Sequence, residues 1–205
     1  MAIPAEYQFF AVNYVGENVW AGIKRKEPAT LETPIEGFGI RVKLPDLQPA
    51  NTPALLAEWQ QITRTSAFYP WLEVSVSSMN AELTRQKWDH LWIEAWGLHR
   101  PSPGCHYQKT EERRFGLSVE RLVCDNQKLL DMHSSDFLYD ESEWKTIIIC
   151  ETRPTPRHIC QHFFPIPEMQ ADIKFSFYPE NLEDWKTNQE KITVLLKSFI
   201  VQSSK

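Results

Sequence analysis

Apolar and polar positions along this chain of 205 residues follow two periods, which predict strands and helices respectively. Alternation with period two, or a short apolar run, bounded by Gly, Pro or Asn, is typical of strands. Such segments occur at residues 7–23, 37–44, 72–76, 115–123, 144–150, 159–164 and 173–178. Several short strands scattered among helices favour a mainly antiparallel sheet.

Apolar residues at helical spacing predict three helices. The first has Thr52 at its N-cap and Pro53 at its first position, where each residue type is preferred. The second is predicted from about Thr84 to Trp96, and the third begins after a cap at Asn181 and ends near Phe199. The sequence therefore predicts an α+β fold in which about three helices pack on a mainly antiparallel sheet, as one domain over residues 1–205.

Composition and charge limit the classes of partner that this protein is expected to bind. Hydrophobic residues make up 42% of the chain and charged residues 24%, which is typical of a globular domain. The net charge of −5 has the wrong sign for a general nucleic-acid binder. No apolar run approaches the roughly 20 residues of a membrane span, so no integral span is expected in this chain. The eight tryptophans leave a recognition role open beside a core role.

The first residues carry no export signal, because they have neither a basic region nor an apolar region after it. Two interpretations follow: the protein is cytoplasmic, or a leader has been removed from an exported protein.

The four cysteines bear on that choice. Cys150 ends a predicted strand, Cys160 lies in the next one, and nine residues with two prolines separate them. This layout predicts a hairpin whose two cysteines face each other at bridging distance. Two reduced, buried thiols are the alternative. A second bridge between Cys105 and Cys124 is possible on the sequence, but nothing fixes their relative geometry.

A metal site competes with that bridge. His158, Cys160 and His162 point to one face of a strand because they are two residues apart. With Cys150 opposite, two imidazoles and two thiolates could hold zinc in a tetrahedral site. The spacing lacks a C-x₂-C knuckle, so histidines flanking a disulfide are the favoured interpretation.

Motifs for catalysis are missing from the sequence. It contains no G-x-S-x-G nucleophile elbow, and its seven glycines form no phosphate-binding loop. We therefore expect no catalytic residues and no cofactor.

One acidic segment is a candidate for binding a partner. Residues 136–144 combine four acids with four large apolar or aromatic residues and contain one serine but no basic residue. Acids around aromatic anchors suit a basic protein partner, because the rings supply buried contact and the charges speed encounter. The candidate contacts are Asp136, Phe137, Tyr139, Asp140, Glu141 and Glu143. A solvated loop leading into a strand is the alternative.

The last third of the chain carries a family resemblance. Its motifs are Ile147-Ile148-Ile149-Cys150, residues 158–163, and a helix that opens with Leu182 and Trp185 and ends at residues 195–199. Residues 69–72 and the pattern of Leu83, Thr84 and Trp88 also contribute to the resemblance. This resembles small periplasmic immunity proteins of Gram-negative bacteria that are encoded beside type VI secretion effectors. The resemblance covers about half of the chain. It implies a cysteine pair, an exported location and a toxin-binding role, but no shared binding residues.

The sequence thus favours an immunity protein that occludes a cognate effector toxin in the periplasm, working by binding and not by turnover. A cytoplasmic location is expected instead if the thiols are free. A zinc-dependent hydrolase or zinc-stabilised domain that uses His158, Cys160 and His162 is the alternative, and a cell-envelope adaptor is another. The oligomeric state does not follow from the sequence.

Overall fold

The computed structural model describes residues 2–17, 27–30, 32–50, 52–65, 70–78, 103–141, 145–152 and 159–200. In these ranges it contains ten strands and three α-helices. The strands are β1 (Gln8–Tyr14), β2 (Ile35–Lys43), β3 (Gln48–Pro49), β4 (Trp71–Ser78), β5 (Cys105–Arg114), β6 (Leu117–Cys124), β7 (Ser135–Tyr139), β8 (Ile147–Glu151), β9 (Cys160–Ile166) and β10 (Ala171–Phe177). The helices are α1 (Pro53–Thr65), α2 (Gln127–His133) and α3 (Trp185–Ser198).

The α+β class with mainly antiparallel strands is confirmed. The strand pairs β1–β2, β2–β4, β5–β6, β6–β7, β7–β8 and β8–β9 are all antiparallel. The described residues form two compact units, one within residues 1–79, 166–175 and 184–205, the other within residues 80–165 and 176–183. The single domain expected from the sequence stays a prediction.

The first unit is built on strands in the order β1, β2, β4, β10, with β3 beside β2. One face of β2 and β4 is apolar: Phe38 lies opposite Val76, Ile40 opposite Val74 and Val42 opposite Leu72, and all six are buried. The other face carries glycines, serines and the pair Arg41 and Glu73. The alternation that predicts the strand at residues 37–44 is therefore the alternation between these two faces.

Local signals explain where α1 begins. The amide of Leu55 donates to the hydroxyl oxygen of Thr52 at 3.2 Å, so Thr52 is the predicted cap. The predicted cap of the last helix is wrong. Asn181 ends a short 3₁₀ turn (Pro179–Asn181) and is buried, and α3 begins four residues later at Trp185. Pro179, whose φ is fixed by its ring, begins this 3₁₀ turn, so α3 starts after the turn and not at Asn181.

The second unit contains an antiparallel sheet in the order β5, β6, β7, β8, β9. Directly opposed residues form rows across it, and one such row is Ser118, Tyr139, Ile147 and Phe163. The next row is Val119, Leu138, Ile148 and His162, on the opposite face. Both rows are buried. The central strands are therefore covered on both faces, which is why β8 reads as an unbroken isoleucine run.

Two predicted boundaries in this unit need correction. The strand predicted from residue 115 begins at Leu117, because Phe115 and Gly116 have φ of 50° and 86° and form the turn between β5 and β6. The strand predicted from residue 144 begins at Ile147. The helix α2 was not predicted, although Asn126 caps it by accepting from the amide of Lys128 at 2.8 Å. The predicted helix at residues 84–96 lies outside the described residues.

Candidate binding surfaces

The acidic segment begins as a strand and not as an exposed loop. Its first residues form β7, which pairs with β6 on one side and β8 on the other. Asp136 and Tyr139 are buried, and Tyr139 packs with Ile147, Ile149 and Phe163. Burial therefore removes Asp136 and Tyr139 from the predicted partner-binding surface. Phe137, Asp140 and Glu141 are half-buried, and Glu143 lies outside the described residues.

Asp136 takes part in a charged network on one face of the second unit. Its carboxylate lies 3.0 Å from Nη1 of Arg114 and 3.6 Å from Nε of Arg121. Both guanidinium groups also contact Glu112, which lies 2.8 Å from Nη2 of Arg114. The hydrogen bond from Arg114 lowers the pKa of Glu112. Two acids and two arginines neutralise one another here, so Asp136 presents no free charge to a partner.

Glu141 is also paired. It contacts the ammonium group of Lys109, and this hydrogen bond lowers the pKa of Glu141 and raises that of Lys109. The Lys109–Glu141 pair is exposed to solvent, which screens it and makes it a weak source of either stability or attraction.

The hydroxyl groups of Tyr107 and Ser135 are 2.8 Å apart, and burial raises the pKa of Tyr107.

All four cysteines form disulfides within the second unit. Cys150 is bonded to Cys160 and Cys105 to Cys124. In each case the two cysteines are directly opposed on neighbouring antiparallel strands, with Cα atoms 4.0 Å apart. The bridge predicted from the hairpin layout is present, and so is the second one that the sequence left open.

The Cys150–Cys160 disulfide rules out the predicted zinc site, in which Cys160 is a ligand. Cys160 is bonded to Cys150 and cannot serve as a thiolate ligand. His162 shares its buried face with Cys160, as the spacing predicts, and its ring lies 5.2 Å from that of Phe164. His158 lies outside the described residues. Among the described residues, no group of three or more His, Cys, Asp or Glu is placed to hold a metal ion.

A cluster that the sequence did not predict lies on the first unit. The guanidinium carbon of Arg41 is 3.4 Å from the ring centroid of Phe9 and 3.4 Å from that of Trp59. Arg41 is 5% exposed, and its Nη2 lies 3.4 Å from the carboxylate of Glu73. The cation is thus held between two rings, an arrangement that suits the flat guanidinium.

An apolar groove of about 560 Å³ also lies within the first unit. Tyr7, Leu47, Val194 and Leu195 contribute to its lining. The ammonium group of Lys191 on its wall donates to the carbonyl of Pro45 at 2.9 Å.

None of the helices in the described part of the chain is long and apolar enough to cross a membrane.

The half-buried face of β10 holds two ionisable groups with shifted pKa values. Burial raises the pKa of Asp172 to about 6 and lowers that of Lys174. An acid whose folded pKa is raised binds its proton more tightly in the folded state, so stability falls as the pH rises from about 4 to 6. Above pH 6 the carboxylate of Asp172 is ionised in the folded state, and its full destabilising effect is then present.

Asp172→Asn is therefore expected to increase stability at pH 8. The gain is less than about 1 kcal/mol, because water screens a half-buried group. Urea unfolding at pH 8 and at pH 3.5 measures it, and the gain should vanish at the lower pH. Asp46→Asn, at an exposed aspartate, is the matched control. An Asp172→Asn protein that is less stable than the parent at pH 8 contradicts the expectation.

Comparisons with known proteins were informative at the level of structure. No protein-family model and no curated protein matches this chain. Among solved structures, it is similar to Smlt3025, an immunity protein of the Stenotrophomonas maltophilia type IV secretion system. The TM-score is 0.57, the sequence identity is 13%, and the likeness covers 98% of this chain and 89% of that one. The two chains share a fold.

Proposed function

We propose that this protein is an immunity protein that binds a cognate antibacterial effector and neutralises it by occluding it. The observation that carries the proposal is the likeness to Smlt3025 over nearly the full length of both chains. The family resemblance in residues 147–199 points to the same role independently of the structure. An inhibitor of this kind works by binding, and a stable interface would bury roughly 1,600 Å² in total.

The proposal extends to a secretion system and a compartment. The sequence resemblance supports a type VI effector, whereas Smlt3025 belongs to a type IV system. We propose the type VI association because it comes from motifs of this chain. Two disulfides support a periplasmic location, since thiols in the bacterial cytoplasm are kept reduced.

Neutralisation is tested by producing the two proteins together. The resemblance implies that an effector gene adjoins the gene for this chain. The product of that gene is directed to the periplasm of a bacterial host, with and without this protein in the same compartment. We expect the host to survive only with this protein present. Unchanged killing rejects the immunity function, and killing by an effector that still binds this protein supports the envelope-adaptor alternative.

The secretion system is tested by competition. Recipient cells that lack this protein are mixed with attackers that lack either type VI or type IV secretion. We expect loss of type VI secretion, and not of type IV, to restore recipient survival. The reverse result assigns the effector to a type IV system.

The compartment is tested by alkylating thiols at the moment of lysis. In the proposed location all four cysteines are protected in the cell and become reactive only after reduction. Four thiols that react before reduction place the protein in the cytoplasm and show that the bridges form later.

A further inference from the structure

We propose that the Cys105–Cys124 disulfide, which we call the outer bridge, is a site of thiol–disulfide exchange with a dithiol partner. The Cys150–Cys160 disulfide, which we call the inner bridge, stays closed in the folded protein. Opening the outer bridge then frees the first half of β5. This inference does not depend on the proposed immunity function, because it rests on where the two bridges lie and on what else holds the strands that they join.

The two bridges differ in their access to solvent. Cys150 is 4% exposed and Cys160 is 0% exposed, and they join β8 to β9. Cys105 and Cys124 are half-buried and join β5 to β6, and β5 is the last strand in the order of the described sheet. Exchange requires a thiolate to reach a disulfide sulfur, so its rate depends on access. In the folded protein, access therefore favours the outer bridge.

The reaction transfers two electrons from the partner to the outer bridge. A thiolate of the dithiol attacks Sγ of Cys105 or Cys124, the bond between these two sulfurs breaks, and the other cysteine leaves as a thiolate that takes up a proton. The second thiol of the partner loses its proton and attacks the mixed disulfide, which releases the first cysteine as a thiol. The partner ends as a disulfide, and this chain ends with two thiols.

The outer bridge closes the open end of the β5–β6 hairpin. The turn at Phe115 and Gly116 closes the other end of the hairpin. The pairing of β5 with β6 shifts register between Lys109 and Arg113. Residues 105–109 therefore form a separate run of pairing, which begins at the bridge and ends at the register shift.

The contacts that remain on this half of β5 after reduction are its ladder hydrogen bonds to β6 and contacts of its side chains. The hydroxyl of Tyr107 lies 2.8 Å from that of Ser135, and the ring centroids of Tyr107 and Phe137 are 5.7 Å apart. The ion pair of Lys109 is exposed to solvent and screened. A strand at the edge of a sheet opens at a lower free energy than the strands of its core. We therefore expect reduction to release residues 105–109 while β7 and β8 keep their pairing.

The first test is the order in which the two bridges open in the folded parent. The protein is treated with dithiothreitol, a small dithiol, in the absence of denaturant, and its thiols are alkylated at intervals. Mass spectrometry of the digested protein identifies the labelled cysteines. We expect Cys105 and Cys124 to be labelled about tenfold faster than Cys150 and Cys160. Equal rates for the two bridges, or earlier opening of the inner bridge, overturn the inference.

Two variants check that each rate belongs to its own bridge. Cys105→Ala/Cys124→Ala keeps only the inner bridge, and we expect it to yield no thiol during the time that opens the outer bridge of the parent. Cys150→Ala/Cys160→Ala is the matched variant, and we expect its outer bridge to open at the parent's rate. Circular dichroism establishes that each variant is folded, and the parent alone decides if one is not. A folded Cys105→Ala/Cys124→Ala protein that is reduced as fast as the parent contradicts the role of access.

The release of β5 is tested by hydrogen exchange on the parent, before and after dithiothreitol opens the outer bridge. We expect the amides of residues 105–109 to exchange about tenfold faster after reduction, with β7 and β8 unchanged. Unchanged exchange at residues 105–109 shows that the bridge opens without freeing the strand, and faster exchange in β8 shows that the whole unit opens. Either result overturns the release of β5. No effector takes part in these measurements, so their failure leaves the immunity function standing.

Discussion

The Cys150→Ala/Cys160→Ala double variant is expected to lose about 3 kcal/mol of unfolding free energy, because the bridge closes a ten-residue separation in the unfolded chain. Both sulfurs are buried between the central strands β8 and β9, so alanine leaves no unsatisfied polar group in their place. Equilibrium unfolding in urea, followed by circular dichroism, measures the loss.

The Cys105→Ala/Cys124→Ala variant is the matched comparison. Its bridge spans 19 residues, so the chain-entropy argument predicts a loss of about the same size or slightly larger. These two cysteines are half-buried and join the outer pair β5–β6. A loss under about 1 kcal/mol for either variant contradicts the loop-closure argument.

Arg41→Ala is expected to cost about 3 kcal/mol, because it removes a buried cation from between two rings and leaves a gap there. The side chain is 5% exposed, and its aliphatic part contributes packing as well as charge. The same substitution removes the contact that Arg41 makes with both Phe9 and Trp59.

Two substitutions identify which property of Arg41 matters. Arg41→Lys keeps the charge but not the flat guanidinium, and we expect it to recover less than half of the loss. Glu73→Gln should cost under about 1 kcal/mol, because that carboxylate is 41% exposed and its ion pair is screened. A fully stable Arg41→Lys protein would show that charge alone, without stacking, holds the site.

Local patterns were sufficient to predict much of the fold. Thr52 and Pro53 predict the start of α1 because capping is a short-range interaction. Alternation predicts β2 and β4 because each has one apolar and one polar face. The hairpin layout around Cys150 predicts the bridge to Cys160 because opposed strand positions follow from chain spacing.

Two of the strands that were missed depend on long-range partners. β7 did not resemble a strand because it contains the charged residue Asp136. That residue is buried, and ion pairs with Arg114 and Arg121 on other strands offset the cost of its burial. β5 carries mostly polar and charged residues, as edge strands often do. The hydrophobic periodicity of the sequence therefore reveals neither β7 nor β5.

The predicted partner-binding segment also depends on long-range contacts. Acids around aromatic residues are present in residues 136–144, but strand pairing buries Tyr139 and neutralises Asp136. The cluster of Phe9, Arg41 and Trp59 was not predicted, because these residues are far apart in the sequence and meet only in the fold.

The opposed positions of Cys150 and Cys160 have a consequence for proteolysis. They stand at the two ends of the connection between β8 and β9, so a protease that cuts any peptide bond in residues 151–159 releases no fragment. The two pieces stay joined through sulfur, and both strands keep their register. A molecule nicked at this connection therefore migrates as one species until it is reduced.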